Sequence, residues 1–413
     1  MRLRKSFFYF LLLLSLSYGG THPALAQYSI TGVARDSLTK EPLGFASVFL
    51  ANTTYGATTD AEGRFTLPNV AAGKYDFIIS YLGYRLYQRS ILVQGPLTLT
   101  PRLVPSSTQL GEVVVRARKH VNNPEDYRKF EQMFLGTTSF SRQCRILNPK
   151  EVIVDFNPDK NELSASSLDF VQVENKALGY RIKYFGLHFR VDFTQQVVTF
   201  YGQPVFEDLP ARNARQRQRW AENRKAAYLG SLAHFLRSIY DDQVTAQGYL
   251  VQKTRRVTNP RRAHADSLVR QKIAAAPPGT QVIISDTLQQ MLQEAPVLVL
   301  LYTRPLPIDS LRRVVAAPSG PAQRWLRFHD QLQVTYQREK PDPLYHPPGA
   351  VGGPPPPPPT TQISTLYLMV PEAQIQPNGQ LMQPLAVFTE GYWAFEKMGE
   401  FLPLDYEPPE VPQ

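Results

Sequence analysis

The sequence predicts an α+β protein in which an N-terminal antiparallel β-sandwich precedes a larger mixed α+β domain. Across residues 41–84, short runs that alternate apolar and polar residues are separated by Asn, Asp, Gly and Pro. That spacing is typical of antiparallel strands joined by tight turns. From residue 123 onward, helical patterns occur between further strand patterns. The length of 413 residues suggests two or three domains, at about 150 residues each.

The N-terminus has the three-part layout of a secretory signal peptide. A basic MRLRK is followed by the apolar SFFYFLLLLSLSY and by a small-residue site before Gln27. We therefore expect residues 1–26 to be removed. The apolar run is shorter than the roughly 20 residues of a membrane span, and no cysteine follows the site to carry a lipid. The predicted location is periplasmic or outer-membrane associated, or the protein is secreted.

The net charge limits the classes of binding partner, and the cysteine count limits the disulfides that the chain can form. The formal net charge is +10, and loss of residues 1–26 leaves a mild basic excess. Such an excess favours an anionic envelope partner such as lipid or polysaccharide, whereas nucleic acid conflicts with export. Cys144 is the single cysteine, so it cannot form an intramolecular disulfide. A small buried hydrophobic residue is the favoured interpretation, and a reactive thiol or a dimer bridge is the alternative.

The sandwich is predicted over residues 27–103. Asp60 and Gly63 suit a tight hairpin, because glycine tolerates a positive φ. Pro68 is expected to end a strand and Gly73 to begin the next one. The ordered segments GVARD, EPLGFASV, TTYGATTDAEGRFTL, GKYDF and SYLGY resemble the carboxypeptidase-like regulatory domain. That resemblance implies a prealbumin-like sandwich of seven strands, and it implies no reaction.

In exported proteins of the Bacteroidetes type, this sandwich is often followed by an acidic and valine-rich segment and then by a TonB-dependent receptor. Residues 112–115 are similar to that segment, but we interpret them as a strand or edge within a linker over residues 104–122. A role as an accessory to TonB-linked outer-membrane uptake is retained as an alternative. The block over residues 134–249 and the closing GYWAFEKMGEFLPLDYEP are similar to an uncharacterised Bacteroidetes family, which implies architecture only.

The larger α+β domain is predicted over residues 123–408. Asn123 and Pro124 suit a helix start, as cap and first-turn residue, and Gly136 suits its end. Two shorter helices are predicted over residues 261–276 and 286–294. The VLVLLYT segment at 297–303 is predicted as a buried strand. Residues 341–361 are rich in proline and are predicted as an exposed, extended loop inserted into this domain.

From residue 210, the spacing of apolar residues predicts one amphipathic helix of about eight turns. Its basic residues include four arginines that could contact anionic lipid or glycan: Arg212, Arg215, Arg217 and Arg219. A solvated helix packed on the preceding sheet is the favoured interpretation, because charge runs usually mark exposed faces.

No sequence motif for catalysis or metal binding is complete. A zinc peptidase needs histidine and glutamate ligands, but none of the seven histidines has a glutamate three residues later. Asp155, Asn157 and Asp159 imitate a calcium loop, but Lys160 and Ser166 replace its glycine and glutamate, so a hairpin turn is favoured. A nucleophile elbow, a P-loop and a dinucleotide fingerprint are also missing. We therefore predict no catalytic, metal-binding or cofactor-binding residue and no cofactor.

Aromatic side chains are the remaining candidates for contacts with a ligand. Tyr392 and Trp393 follow Gly391, which allows close backbone approach, and are candidate ligand contacts. Five further rings could line a sugar or peptide groove, although core packing is favoured for most of them: Tyr180, Tyr184, Phe185, Phe189 and Tyr201.

The predicted function is that of a non-catalytic, exported binding or scaffolding protein of the periplasm or outer-membrane surface. In this hypothesis the sandwich presents loops to a partner and the larger domain carries the specific site. The partner is a protein, a glycan or an anionic envelope component, and the sequence leaves the oligomeric state open. A hydrolase of unrecognised class is the alternative, since serine, histidine and acidic residues could meet in space.

Overall fold

The computed structural model describes residues 27–106, 121–277, 281–316, 322–347 and 357–408. The predicted signal peptide, residues 112–115 and residues 348–356 of the proline-rich loop lie outside them. The described residues fall into two compact units. The N-terminal unit holds the described residues up to Ser106 except 52–54, and the second unit holds 52–54 and those from Val121 onward.

The N-terminal unit is a β-sandwich. Its described residues form β1 Gln27–Val33, β2 Arg35–Asp36, β3 Ser47–Leu50, β4 Gly56–Thr58, β5 Arg64–Ala71, β6 Gly73–Ser80, β7 Tyr87–Val93, β8 Leu97–Leu99 and β9 Arg102–Leu103. One sheet has the order β5-β1-β8 and the other β4-β3-β6-β7, while β2 and β9 form a short separate pair. Seven strands thus make two sheets, which confirms the predicted sandwich.

One apolar core joins the two sheets of the sandwich. Ile30 and Leu67 from one sheet and Val48 from the other are buried in it. The rings of Phe65 and Phe77 lie 5.5 Å apart, centroid to centroid, and come from opposite sheets. Burial of such side chains stabilises each by about 1.5–3 kcal/mol relative to exposure.

The predicted hairpin around Asp60 is confirmed. Gly63 has a φ of 74°, and the Arg64 amide donates to Asp60 Oδ1 at 2.7 Å. The expectation that Pro68 ends a strand is wrong, because β5 continues to Ala71. Asn69 has a φ of 56°, and the register against β1 shifts at this point. Pro68 is therefore accommodated beside a bulge, where a missing N–H costs little.

The second unit contains three sheets and several helices. The helices of its described residues are α1 Pro124–Leu135, α2 Ala214–Tyr228, α3 Leu232–Tyr240, α4 Pro260–Ala275, α5 Asp286–Gln293 and α6 Tyr392–Phe395. The strands are β10 Cys144–Ile146, β11 Val152–Asn157, β12 Glu162–Ser167, β13 Phe170–Asn175, β14 Tyr180–Asp192, β15 Val197–Asp208, β16 Tyr249–Thr258, β17 Val297–Pro305, β18 Arg312–Val315, β19 Gln323–Leu326, β20 Gln331–Tyr336, β21 Gln362–Leu368, β22 Ala373–Ile375 and β23 Val387–Gly391.

These strands form a six-stranded sheet, a five-stranded sheet and a three-stranded sheet. The first has the order β10-β13-β14-β12-β11 with β15 also on β14, the second β17-β16-β20-β21-β23, and the third β18-β19-β22. Together with the helices they confirm the predicted α+β class. Within the described residues, no helix is both long enough and apolar enough to cross a membrane.

Helix α1 covers one face of the six-stranded sheet. The Asn123 side chain caps it by accepting from the Glu125 amide at 2.8 Å, and Gly136 ends it with a φ of 95°, as predicted. Phe130 and Phe134 are fully buried. The ring of Phe130 meets that of Phe189 edge-on at 5.0 Å, so the apolar stripe of the helix becomes the core of this sheet.

Three local predictions have clear outcomes. The hairpin between β11 and β12 is confirmed at the calcium-like segment, with Asn161 at a φ of 51° in its turn. The two shorter predicted helices correspond to α4 and α5. The prediction of a buried strand at 297–303 is wrong, because β17 is an edge strand whose residues are all exposed.

The single long arginine helix is also a wrong prediction. The chain forms α2 and α3 instead, and Gly230 turns between them with a φ of 80°. The Ser231 side chain caps α3 by accepting from the His234 amide at 3.2 Å. Periodicity alone could not detect the break, because apolar residues continue at helical spacing through the turn.

We predict that Gly179→Ala destabilises the second unit far more than Gly186→Ala. Both glycines have positive φ values, 73° and 57°, which cost an alanine about 1–2 kcal/mol. A Cβ on Gly179 would lie 2.2 Å from the Trp220 ring, whereas one on Gly186 meets nothing within 4 Å. Displacing the indole adds about 1–3 kcal/mol.

Urea unfolding followed by tryptophan fluorescence measures this difference. The three tryptophans, Trp220, Trp325 and Trp393, all lie in the second unit, so the signal reports on that unit alone. Equal shifts of the midpoint for the two variants would contradict the close packing at Gly179.

Candidate functional site

A cavity of about 350 Å³ lies in the second unit beside α6. The turn between α2 and α3 forms one wall, and the residues that follow α6 form another. Its walls are mainly apolar, with a few polar side chains among them. The lining includes Phe206, Tyr228, Ser231, Leu232, Leu236, Trp393, Glu396, Lys397, Glu400 and Phe401. We call this cavity the Trp393 pocket.

Trp393 is a fixed wall of this pocket. Its amide donates to Ser364 Oγ at 3.0 Å, and its indole Nε1–H donates to the Gly230 carbonyl at 2.7 Å. Gly391 precedes it with a φ of 76°, and a Cβ there would lie 2.6 Å from the Ile363 carbonyl oxygen. Close approach at this glycine was predicted, and it lets α6 begin directly against β21.

Two carboxyl side chains follow α6 and line the pocket. Glu400 accepts from the Lys397 amide at 3.1 Å and from the Thr138 hydroxyl. Burial raises its pKa to about 7 despite these hydrogen bonds. Burial, with the nearby charge of Glu400, raises the pKa of Glu396 well above its usual value. Both groups therefore hold protons at pH values where ordinary glutamates are ionised.

The ionisable side chains nearby do not offset the raised pKa values of Glu396 and Glu400. Burial also raises the pKa of Glu339 to about 7. Lys397 lines the pocket as well, and burial lowers the pKa of its ammonium group. The pocket thus offers carboxyl groups that can donate or accept hydrogen bonds, since a protonated carboxyl does both.

A buried histidine supports the turn beneath the pocket. His234 Nδ1 accepts from the Gly230 amide at 3.1 Å, and Nε2 lies 3.1 Å from Gln247 Oε1. Burial lowers the pKa of His234 to about 4, so the ring is neutral at pH 7. With Nδ1 accepting, Nε2 carries the proton and donates to Gln247. This histidine positions the Gly230 turn and is not free to transfer protons.

The described residues form neither a metal-binding cluster nor a reactive thiol. Among the described residues, no group of three or more His, Cys, Asp or Glu side chains could hold a metal ion. Cys144 is half-buried beside the core of the six-stranded sheet. Burial raises its thiol pKa to about 12, which leaves almost no thiolate at neutral pH.

The residues predicted as contacts are not gathered at one place. Trp393 lines the pocket, whereas Tyr392 packs beside Tyr345 with ring centroids 5.1 Å apart and accepts from the Asp342 amide at 3.1 Å. The four arginines are exposed on α2 and the residues before it, outside the pocket lining: Arg212, Arg215, Arg217 and Arg219. They stay candidates for a surface contact.

Four of the five groove candidates belong to the core: Tyr180, Tyr184, Phe185 and Phe189 are buried. Tyr201 is 48% exposed and stacks on His188 with centroids 4.8 Å apart. The pair lies at a wider, open depression over the six-stranded sheet. This face is solvated, so its polar groups are weaker anchors than those of the Trp393 pocket.

Sequence reasoning missed Glu396, Lys397 and Glu400. The available signal was the closing EKMGE, in which charged residues stand among apolar and aromatic ones. Nothing in the local pattern showed that this segment is covered by α1 and by residues 141–143, which are far away in the chain.

Residues 30–115 match the CarboxypepD_reg-like domain, so the chain carries a domain of this class at its N-terminal end. None of the curated proteins matches the chain. Among solved structures, the group B streptococcus pilus 2b backbone protein is 19% identical over 20% of this chain, with a TM-score of 0.18. The match spans only 42% of that pilus protein.

Two Bacteroides structures are also similar over parts of their length. A putative carbohydrate binding protein from Bacteroides uniformis is 13% identical, over 43% of this chain and 79% of its own, with a TM-score of 0.16. A putative membrane-associated protein of unknown function from Bacteroides fragilis is 11% identical, over 76% and 92%, with a TM-score of 0.17. These TM-scores are too low to carry a function to this protein.

We predict that Glu400→Gln flattens the pH dependence of stability. The unfolded chain loses this proton near pH 4.5, whereas the folded protein keeps it until about pH 7. The folded state binds more protons in that window, so stability falls as the pH rises through it. The contribution is at most about 3 kcal/mol.

Urea midpoints at pH 4.5, 5.5 and 7 test this prediction, with the exposed Glu222→Gln as control. The wild type and the control should lose stability together as the pH rises, and Glu400→Gln should lose less. Parallel declines in all three proteins would contradict the shifted pKa.

We predict that replacing Arg212, Arg215, Arg217 and Arg219 together with glutamine changes stability little. Exposed substitutions usually cost within about 0.5 kcal/mol each. Trp220→Ala is the packing control, because Trp220 is 5% exposed and its loss should cost about 3–5 kcal/mol. Co-sedimentation with anionic vesicles should show at most a weak loss. If the variant instead lost most of its vesicle binding, and salt weakened the binding of the wild type, these arginines would form a binding surface.

Proposed function

We propose that this protein is a non-catalytic binding protein of the bacterial envelope, exported by its N-terminal signal. In this proposal the Trp393 pocket holds the end group of a glycan. The signal-peptide layout and the match to a CarboxypepD_reg-like domain support an exported binding module. The sandwich loops would contact a second envelope component, and the second unit would carry specificity.

The observation that carries this proposal is the pocket's combination of groups. Small-ligand sites are concave and mostly apolar, with a few polar groups that orient the ligand. The aromatic rings of Trp393 and Tyr228 can pack against the apolar face of a sugar ring. Glu396 and Glu400 can accept hydrogen bonds from sugar hydroxyls, and their partial desolvation makes each bond stronger than at the surface.

The paired carboxyl groups also favour one alternative, a glycoside hydrolase. Such an enzyme needs one carboxylic acid that is protonated and one carboxylate that is ionised. Here burial raises the pKa of both Glu396 and Glu400. Among the described residues, no cationic side chain lowers the pKa of one of them to keep it ionised while the other stays protonated. Binding is therefore the better account of these residues. An accessory role in TonB-linked uptake is a separate proposal, and it concerns residues 112–115, which lie outside the described part of the chain.

Calorimetric titration with a panel of mono- and oligosaccharides tests the proposal. We expect one sugar class to bind, and Glu396→Leu, which removes both carboxyl oxygens at similar volume, to weaken its affinity by about tenfold or more while the protein stays folded, since a lost hydrogen bond to a charged or buried group costs about 1.5–3 kcal/mol. Tyr201→Ala, on the open face, is the matched control and should leave binding unchanged.

Two outcomes would overturn the proposal. If Tyr201→Ala abolished binding and Glu396→Leu did not, the site would be the open face of the six-stranded sheet. If the protein released sugar from glycoside substrates and Glu400→Gln abolished that release, it would be a hydrolase.

A further inference from the structure

Strands β16 and β17 continue beyond the body of their sheet as a two-stranded ribbon. On its inner side, β16 pairs with β20 only over residues 249–254, whereas β16 and β17 stay paired to Thr258 and Val297. The connection between the two strands contains α4 and α5. We call residues 254–258 of β16 and 297–302 of β17 the arm.

The arm exposes apolar side chains on both faces. Residues 297–302 read VLVLLY, and each is at least 38% exposed. Val299 is 60% exposed and Leu300, which points to the opposite face, is 45% exposed. Successive strand residues alternate faces, so neither face is covered by the core. A two-stranded ribbon in water is marginally stable by itself, and this one carries an unusually apolar surface.

The outer edge of β17 has no partner strand among the described residues. Soluble proteins usually protect such an edge with an inward lysine, a proline or a bulge. Within β17, no charge or proline occurs before Arg304 and Pro305. The one register shift lies between Gln252 and Thr254 on β16, at the base of the arm. The exposed segment is therefore open to strand addition.

We propose that β17 pairs antiparallel with β17 of a second copy across a twofold axis, which joins the two five-stranded sheets edge to edge. An isologous contact of this kind brings the same apolar patch together from both copies. The area available fits this occupant. Residues 297–302 expose on the order of 500 Å² per copy, which is near the largest patch of a typical monomer. Edge pairing buries the part of each patch that borders the shared edge, so the contact lies at the small end of specific interfaces, and main-chain hydrogen bonds between the two edges add to it.

Charge also favours an antiparallel second copy. Arg304 is the only charged residue of β17, and it stands at one end. In antiparallel pairing centred on Leu301, the two Arg304 side chains lie at opposite ends, about 20 Å apart at a strand rise of roughly 3.4 Å per residue. Leu298 then faces Arg304, and the apolar centre of one strand faces the apolar centre of the other. Like charges are thereby kept from directly opposite positions, where they would destabilise the pair.

Sedimentation velocity over a concentration series tests the proposal. We expect the wild-type protein to be dimeric at micromolar concentration. Val299→Lys should raise the dissociation constant by at least tenfold and leave unchanged the urea midpoint measured on the dilute, monomeric protein, because Val299 is already exposed. Val314→Lys is the matched control, since Val314 is 51% exposed on β18 and away from this edge. A wild type that is monomeric throughout, or a Val299→Lys variant that dimerises normally, would overturn the proposal.

A cysteine scan tests the antiparallel geometry separately. Single substitutions of residues 299–302 are made in a Cys144→Ala background and exposed to mild oxidant. Only residues at the twofold axis face their own copy, with Cα atoms about 4.5–5.5 Å apart, which suits a disulfide. We expect dimer crosslinking to peak at one or two adjacent positions and to be absent for Val314→Cys. Uniform crosslinking at every position would contradict a fixed register and overturn the pairing.

Discussion

The hydrogen bond from Trp393 Nε1 to the Gly230 carbonyl is the contact on which the second unit depends most. It joins the turn between α2 and α3 to the start of α6, which are 163 residues apart in the chain. Gly230 has to take a positive φ there, and His234 accepts from its amide. Both backbone groups of this glycine are thus satisfied inside the protein, where an unpaired group would cost about 1–3 kcal/mol.

The Trp393 pocket follows from this contact. The hydrogen bond to Gly230 holds in place the indole that forms one wall of the cavity, with Glu396 in the same lining. The carboxyl groups around it are destabilising in their ionised form, as their raised pKa values indicate. Strongly shifted pKa values cluster at functional sites, so the pocket is a stronger candidate for a binding site than the more solvated face at Tyr201.

The arm shows the opposite balance. Elsewhere in the unit, exposed apolar strand residues such as Val314 are isolated, but β17 keeps six consecutive apolar residues at the surface. Hydrophobic burial is the main driving force for association between chains. A second copy of the chain would bury these residues through the same strand, so no other partner is required. The pocket and the arm use different parts of the five-stranded sheet, so ligand binding and self-association are separable.

The sequence by itself determined much of the local structure. Alternating residues and turn glycines such as Gly63 specified the sandwich, and Asn123 with Pro124 specified the start of α1, because these signals act within a few residues of where they occur. Periodicity could not separate a buried strand from an exposed one in VLVLLY, nor detect the break at Gly230. Burial depends on which distant segment covers a residue. For the same reason, only the tertiary structure placed Glu396 and Glu400 beside Trp393 and the end of α2, since their pKa shifts arise from desolvation by residues that are remote in the chain.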